Sequence, residues 1–402
     1  MSAGQARAAF GQYDGRFDRR RALQLLGGVG LAGALAACSP TESADPYADI
    51  PVSIGLLLPQ TGDRKPIGDE LKNGFELWLE HRNGLLGGHL AQLTFADEGD
   101  TTEKAKAAAD DLLRRNVLAI SGVAGDAAIL GMRESIEKTH IPLIGSGGSP
   151  AALRQQTLLY MWHTSYVGTE PGKALGIHMH TLGGGVSMVA ANNVGGRDAV
   201  AGFIEGWGGG GDAKLADPYY LNSADGIGEV VSKIANSRNE LVFCALTGQT
   251  AITFVKEMRK RVKSMQFYAP GMMTEGPALE AFGGVGEGIF TASNYSTELS
   301  NAANLSFSSK YRAKYSTAPT AYAVAAWDAA AVLDKAIKAC REKLTADEVN
   351  LKIGGVGLIT SPRGSFQFNQ TRTPQQKWYL REVRKDGPVL VNALISELAI
   401  LG

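Results

Sequence analysis

Cysteine is almost absent from this chain: Cys38, Cys244 and Cys340 are the three among 402 residues, with no CxxC spacing and no Cys/His combination. That pattern excludes a disulfide-stapled scaffold and a structural zinc module. Histidine is scarce too. The closest pair, His178 and His180, lies on a helical pattern that sends its imidazoles to different faces, so no metal site is expected. A phosphate loop of the GxxxxGKS/T type is missing, which removes nucleotide hydrolysis. The run Gly206-Trp207-Gly208-Gly209-Gly210-Gly211 spells GxGxxG, but it follows a helix rather than a strand, and no dinucleotide cofactor is expected. Charge of one sign is also lacking: the net is +0. The one dense basic run beyond the N-terminus, Lys256 to Lys263, suits the solvated end of a helix, so nucleic acid is not a partner. Neither a catalytic constellation nor a cofactor motif emerges.

What is present is a turn-rich globular composition, with 44% hydrophobic and 20% charged residues and 50 glycines. The length allows two domains. Arg19 to Ser39 (RRRALQLLGGVGLAGALAACS) joins a basic cluster to a short apolar stretch crowded with small residues, followed by Cys38. The stretch is shorter than the roughly 20 residues of a spanning helix, so residues 1–37 read as an export signal. Removing them takes away five arginines and two aspartates, leaving 0 − (5 − 2) = −3. Residues 38–50, polar and carrying Pro40 and Pro46, read as a flexible tether. Cys244 and Cys340 read as buried thiols, although an oxidising compartment would permit them to pair.

From Val52 onward, apolar runs alternate with helical patterns. Strands are expected at Val52–Leu58, Leu93–Ala96, Ser187–Ala191, Leu241–Leu246, Phe267–Ala269 and Ile289–Ala292, with helices between them and two long helices near Asn304–Tyr315 and Tyr322–Ala339. Such alternation specifies an α/β fold with parallel sheets covered by helices on both faces. A closing hairpin is expected from Gly364–Asn369 and Lys377–Val383. The acidic Asp97-Glu98-Gly99-Asp100 reads as solvation ahead of a helix capped by Thr101 or Thr102. Two segments stand out, Val117 to Ala128 (VLAISGVAGDAA) and Ile141 to Pro150 (IPLIGSGGSP). Each is an apolar run ending in a small, glycine-containing turn. Parallel strands end on one sheet edge, where turns and helix starts present unpaired N–H groups, and that edge is the expected binding site.

The order of these segments resembles the extracytoplasmic solute-binding proteins of ABC importers, in particular the leucine/isoleucine/valine-binding family with its type I bilobal fold. The resemblance rests on VSIGLLLPQTG (Val52 to Gly62), Gly68 through GFELWLEHRNGLLGG, the DEGD run, IPLIGSGGSP, HTSYVGTEPG (His163 to Gly172) and GLITSPRGSFQFNQTRTPQQKWYL (Gly357 to Leu380). Leu35-Ala36-Ala37-Cys38 likewise resembles a lipobox, which implies lipidation of Cys38, and Arg20-Arg21 resembles a twin-arginine signal. The resemblance implies two Rossmann-like lobes, residues 51–165 with 296–355 and residues 166–295 with 356–402, closing on a ligand. It implies a pocket of Gln60, Thr61 and Ile67, of Gly125, Asp126 and Ala127, and of Gly147, Gly148 and Ser149. Tyr166, Gly168, Thr169, Thr247, Gly248 and Met272 would face them, with the lobe-one turns and the Ser149 hydroxyl holding a ligand carboxylate.

Two departures bear on the ligand. The lobe-two positions at which amino-acid binders carry acids are here Gly168 and Met272, which leaves Glu170 and Glu275 nearby as substitutes. Asp126 stands where a small hydroxyl residue is usual. It is expected to cap its own helix, the alternative being contact with a cationic or donor-rich ligand. The implied function is a monomeric, exported, lipid-anchored binding protein, not an enzyme, that carries a small polar solute to permease subunits, a branched-chain or related amino acid being the first guess. The alternatives are a sensor of amides, urea-like molecules or aromatic acids, and, less favoured, an exported hydrolase.

Overall fold

The computed structural model describes residues 50–208 and 215–402. The expected export signal, the lipidation site at Cys38 and nearly all of the tether lie outside the described residues. In chain order the first lobe contains β1 (Val52–Leu58), α1 (Lys65–His81), β2 (Leu85–Leu86), β3 (His89–Asp97), α2 (Thr102–Arg114), β4 (Ala119–Gly122), α3 (Asp126–Thr139), β5 (Leu143–Gly145) and β6 (Met161–His163). Its sheet runs β2-β3-β1-β4-β5-β6, parallel except for the β2–β3 hairpin. The central strands read as unbroken apolar runs because helices cover both faces.

The second lobe follows with α4 (Glu170–Leu182), β7 (Val186–Ala191), α5 (Val194–Trp207), β8 (Tyr219–Leu221), α6 (Ile227–Asn236), β9 (Leu241–Ala245), α7 (Gly248–Arg261), β10 (Gln266–Pro270), α8 (Pro277–Phe282) and β11 (Ile289–Ser293). The chain then returns through α9 (Ala302–Tyr315), α10 (Ala321–Lys338) and α11 (Ala346–Gly354), and ends in β12 (Gln367–Phe368), β13 (Pro374–Asp386) and β14 (Val389–Leu401). The second sheet runs β12-β13-β11-β10-β9-β7-β8, with β14 paired to β13. The expected pair, Gly364–Asn369 with Lys377–Val383, is β12 and β13, joined antiparallel, while β14 is a further strand that was not expected; it pairs with β13 along its length, and its half-exposed residues give it only a weak apolar alternation.

Helix α10 belongs to the first lobe. It lies against α1 so closely that a Cβ at Gly74 would stand 2.0 Å from the Ala323 carbonyl oxygen. Its Ala329, Val332, Leu333 and Ile337 share a core with Ile54, Leu56, Leu71 and Phe75. Val356, Ile359 and Phe366 join that same core, and Ile359 and Phe366 exchange backbone hydrogen bonds of 2.8 and 3.0 Å. The chain thus passes to the second sheet after Phe366, later than the expected boundary at 355, because this short apolar pair folds back on α10. Cys340 lies buried in the first-lobe core, where its Sγ donates to the Ala336 carbonyl at 3.3 Å, and Cys244 lies buried in the second.

Three segments connect the lobes, and a buried polar cluster holds them together. Arg363 pairs with Asp328 at 2.9 Å and donates to the carbonyls of Thr164 and Ser165. Gln376 donates to the Ser165 carbonyl at 2.7 Å and accepts from Asn294 at 3.0 Å. Arg381 pairs with Glu275 at 2.7 Å and reaches the Tyr295 carbonyl at 3.1 Å. Burial raises the Asp328 carboxyl to about 7, with the Arg363 charge opposing.

Candidate functional site

The two glycine turns lie side by side, as the parallel order of β4 and β5 requires. Gly147 donates to the Val123 carbonyl at 2.9 Å, and a Cβ there would meet the Ala124 carbonyl at 2.6 Å, so only glycine allows this approach. The amides expected to bind a ligand carboxylate are in large part already used. Glu98, fully buried, accepts from the N–H groups of Ala124 and Gly125 at 2.8 and 2.9 Å and pairs with Arg64 at 2.9 Å. Asp97 accepts from the Gln60 amide at 2.8 Å and the Thr61 hydroxyl at 2.6 Å. The acidic run after β3 is therefore more than solvation: two of its carboxylates stand in for external anions at the sheet edge. Thr101 does cap α2, accepting from the Lys104 amide at 3.2 Å.

Asp126 departs from its expected role. It is the first residue of α3 after Gly125, and its carboxylate makes no hydrogen bond among the described residues, so it caps nothing. It points across the gap instead. A Cβ at Gly148 would lie 3.5 Å from one carboxylate oxygen, and a Cβ at Gly195, at the start of α5 in the other lobe, would lie 2.5 Å from the other. Burial first, then the nearby carboxylate of Asp198, raise its carboxyl to about 7, while Arg64 pulls the other way. The Tyr166 ring edge stands 3.2 Å from the Gly148 Cβ position and meets Trp378 edge-on at 5.5 Å between centroids. Burial lifts the Tyr166 phenol well above its ordinary range, helped by the Tyr322 hydroxyl and by Asp126. Tyr322, at the start of α10, is shifted in the same direction for the same main reason. Asp126, Tyr166 and Tyr322 are enclosed by protein yet keep partial accessible surface, as side chains facing an internal hollow do.

Other expected residues go elsewhere. Ser149 is buried, and its backbone pairs with the crossing segment: its N–H donates to the Tyr166 carbonyl at 2.7 Å and its carbonyl accepts from Gly168 at 2.8 Å. Its surroundings form a separate concavity of about 330 Å³ that includes His163 and Arg372. Thr247 lines yet another, of about 190 Å³, with Asn193, Asn222 and Thr250 at the strand ends of the second lobe. Ser149 thus borders the first of these concavities and Thr247 the second. The space above Gly168 is filled by the Asp198 carboxylate, 2.7 Å from where a Cβ would sit, and Asp198 accepts from the Ala151 amide at 2.8 Å across the lobes. Gly248 has φ 58 with open space above it. Met272 packs towards Trp327 and Phe307, Ile67 packs on the first core, Ala127 is exposed, and Thr169 starts α4 without a side-chain cap.

Of the two substitute acids Glu275 is fully engaged, whereas Glu170 keeps Oε1 without a partner among the described residues. Glu275 is spent on Arg381 and on the Ala321 amide at 2.8 Å, and Glu170 lies buried beside Gln376 with its carboxyl raised by burial to about 7. Arg64, Glu98, Gly195, Asp198 and Tyr322 were not anticipated. Gly195 could have been, since Asn193-Val194-Gly195-Gly196 after β7 repeats the strand–glycine–helix pattern of the two lobe-one turns.

This arrangement of facing lobes matches a known family. A family model described as periplasmic binding protein matches residues 51–388. The chain belongs to that family. Its members are binding proteins rather than enzymes, and membership places the chain outside the cytoplasm. Among the described residues, no helix is long and apolar enough to cross a membrane. A Leu/Ile/Val-binding protein homolog from Brucella melitensis is 24% identical over 375 residues, covering 88% of this chain and 92% of that protein. An ABC transporter solute-binding protein from R. palustris, solved with benzoate, superposes with a TM-score of 0.78 at 25% identity, covering 87% of this chain and 98% of its own. A branched-chain amino acid transporter binding protein from Streptococcus pneumoniae, solved with isoleucine, gives a TM-score of 0.75 at 16% identity, covering 86% and 99%.

Proposed function

We propose that this periplasmic binding protein, anchored through a lipid on Cys38 and acting as a monomer, captures a hydroxy- or amino-substituted aromatic acid between its lobes and delivers it to an ABC permease. The observation that carries the reading is Asp126, a carboxylate without a partner in the gap between the lobes, with the ring edge of Tyr166 beside it and Tyr322 close by. A buried carboxylate of this kind favours a ligand that brings a donor. A phenolic hydroxyl or aryl amine supplies one, and the tyrosine rings suit a flat apolar body. The ligand carboxylate would meet the Arg64 guanidinium and the first-turn amides of α3. The benzoate-bound neighbour is consistent with this class of ligand. A simple branched-chain amino acid fits less well, since Gly168 and Met272 stand at the expected acid positions and Glu275 is held by Arg381, which leaves its ammonium only Glu170, buried beside Gln376.

Thermal shift of the purified protein with 4-hydroxybenzoate, 4-aminobenzoate, benzoate, leucine and isoleucine separates the readings. The substituted aromatics should raise Tm by several degrees, benzoate by less. Asp126→Ala should abolish the preference for the substituted rings. A rise with leucine or isoleucine and none with the aromatics would overturn the proposal.

A further inference from the structure

Behind the glycine turn that faces the cleft lies the concavity of about 330 Å³, a size suited to a small metabolite. At its base is His163, the last residue of β6, only 2% exposed. Neither of its ring nitrogens has a hydrogen-bond partner among the described residues, which for a buried imidazole is costly unless something else supplies one. The ring lies over Gly145, where a Cβ would come within 2.6 Å of Nδ1, so a glycine in β5 makes room for it. Two arginines border the same hollow. Arg372 is fixed by a 2.8 Å bond from Nε to the Leu158 carbonyl and by stacking 4.3 Å over Trp162, which leaves its terminal nitrogens without a partner among the described residues. Arg154 is exposed, and its side chain makes no hydrogen bond among the described residues. Of the nearby acids, Glu137 is occupied by the amides of Leu159 and Tyr160, and Glu170 is buried beside Gln376, feeling the Arg154 charge without a hydrogen bond to it. Leu153 and Met161 supply apolar wall.

We propose that this hollow is a second ligand site, separate from the cleft, for a small hydroxycarboxylic acid. Its carboxylate lies between Arg154 and Arg372, and its hydroxyl meets His163, giving a proton to the bare ring nitrogen or accepting from the N–H, whichever faces the hollow. Because Ser149 borders the hollow while Gly148 borders the cleft, the occupant sits against the strand bridge from Ser149 to Val167 that ties the lobes.

The test is ¹⁵N NMR of the imidazole groups in the purified full chain, titrated with sodium lactate, with sodium propionate as the comparator lacking the hydroxyl and sodium chloride at matched ionic strength. His163→Gln identifies the signals. Lactate should move the His163 nitrogens saturably, propionate should bind at least tenfold more weakly, and Arg154→Gln and Arg372→Gln should each weaken lactate by tenfold or more. Arg154 is exposed, so its variant stays informative if Arg372→Gln fails to fold. Unmoved His163 signals, equal response to propionate, or full response in Arg154→Gln would overturn the proposal. Loss of the response in Asp126→Asn with retention in Arg154→Gln would also overturn it, since the effect would then come from the cleft.

Discussion

The crossing region and the cleft both contain buried carboxylates, and they treat them in opposite ways. Asp328 and Glu275 sit under Arg363 and Arg381, with further bonds from the Ser361 hydroxyl and the Ala321 amide. Asp126 has no hydrogen bond among the described residues, and the charge of Asp198 adds repulsion. Each structural carboxylate has donors from the chain on at least one oxygen, although Asp328 keeps Oδ1 without a partner among the described residues. A carboxylate with donors on neither oxygen is the group to which the proposed function assigns a donor from outside.

The sharpest way to break this contrast is to make the crossing region resemble the cleft. Arg363→Ala leaves Asp328 buried and unpaired, and should cost about 3–5 kcal/mol, read as a lower denaturant midpoint. Next comes the gap itself. Gly195→Val puts side-chain atoms where the Asp126 carboxylate lies, so ligand affinity should fall at least tenfold while the midpoint of unfolding moves little. Conversely, Asp126→Asn makes the cleft neutral. A carboxyl raised from 3.8 to about 7 keeps its proton in the folded state while the unfolded chain releases it. The penalty is absent below about pH 4, grows through about pH 7 and is full above it. The variant should therefore be the more stable protein at pH 8, by on the order of 2 kcal/mol allowing for partial access of water, and no different at pH 3.5.

His163 gives the opposite slope. Burial lowers it from 6.5 to about 4, so its contribution is present above pH 6.5 and is lost as pH falls towards 4. His163→Gln should flatten that acid limb of the Tm profile. Thr101→Ala, outside both regions, sets the scale for an ordinary local contact at about 1 kcal/mol.

Much of the frame was legible in the residues. Strands such as Val52–Leu58 announce themselves because burial on both faces demands an unbroken apolar run, and α2 was bounded by its threonine cap and arginine end. The glycine turns were legible for the same reason: close approach of two backbones leaves no room for a side chain. Spacing alone could not say which polar groups would be consumed internally. Glu98 reads as a solvated acid until the fold brings it under the Ala124 and Gly125 amides, and Asp126 reads as a cap until α5 arrives opposite. Nor does sequence separate Ser149 from Gly148: successive residues of an extended segment face opposite ways, so Gly148 meets Asp126 and Tyr166 while Ser149 borders the concavity of His163.

Because three separate strands of chain pass between the lobes, bending about one axis is easy whereas sliding or twisting would stretch at least one of them. Any closure of the lobes would therefore follow a single arc, as with a door on several pins, and would return Asp126 to the same spot beside Gly195, so that the mounting and not the visitor would set the recognition geometry.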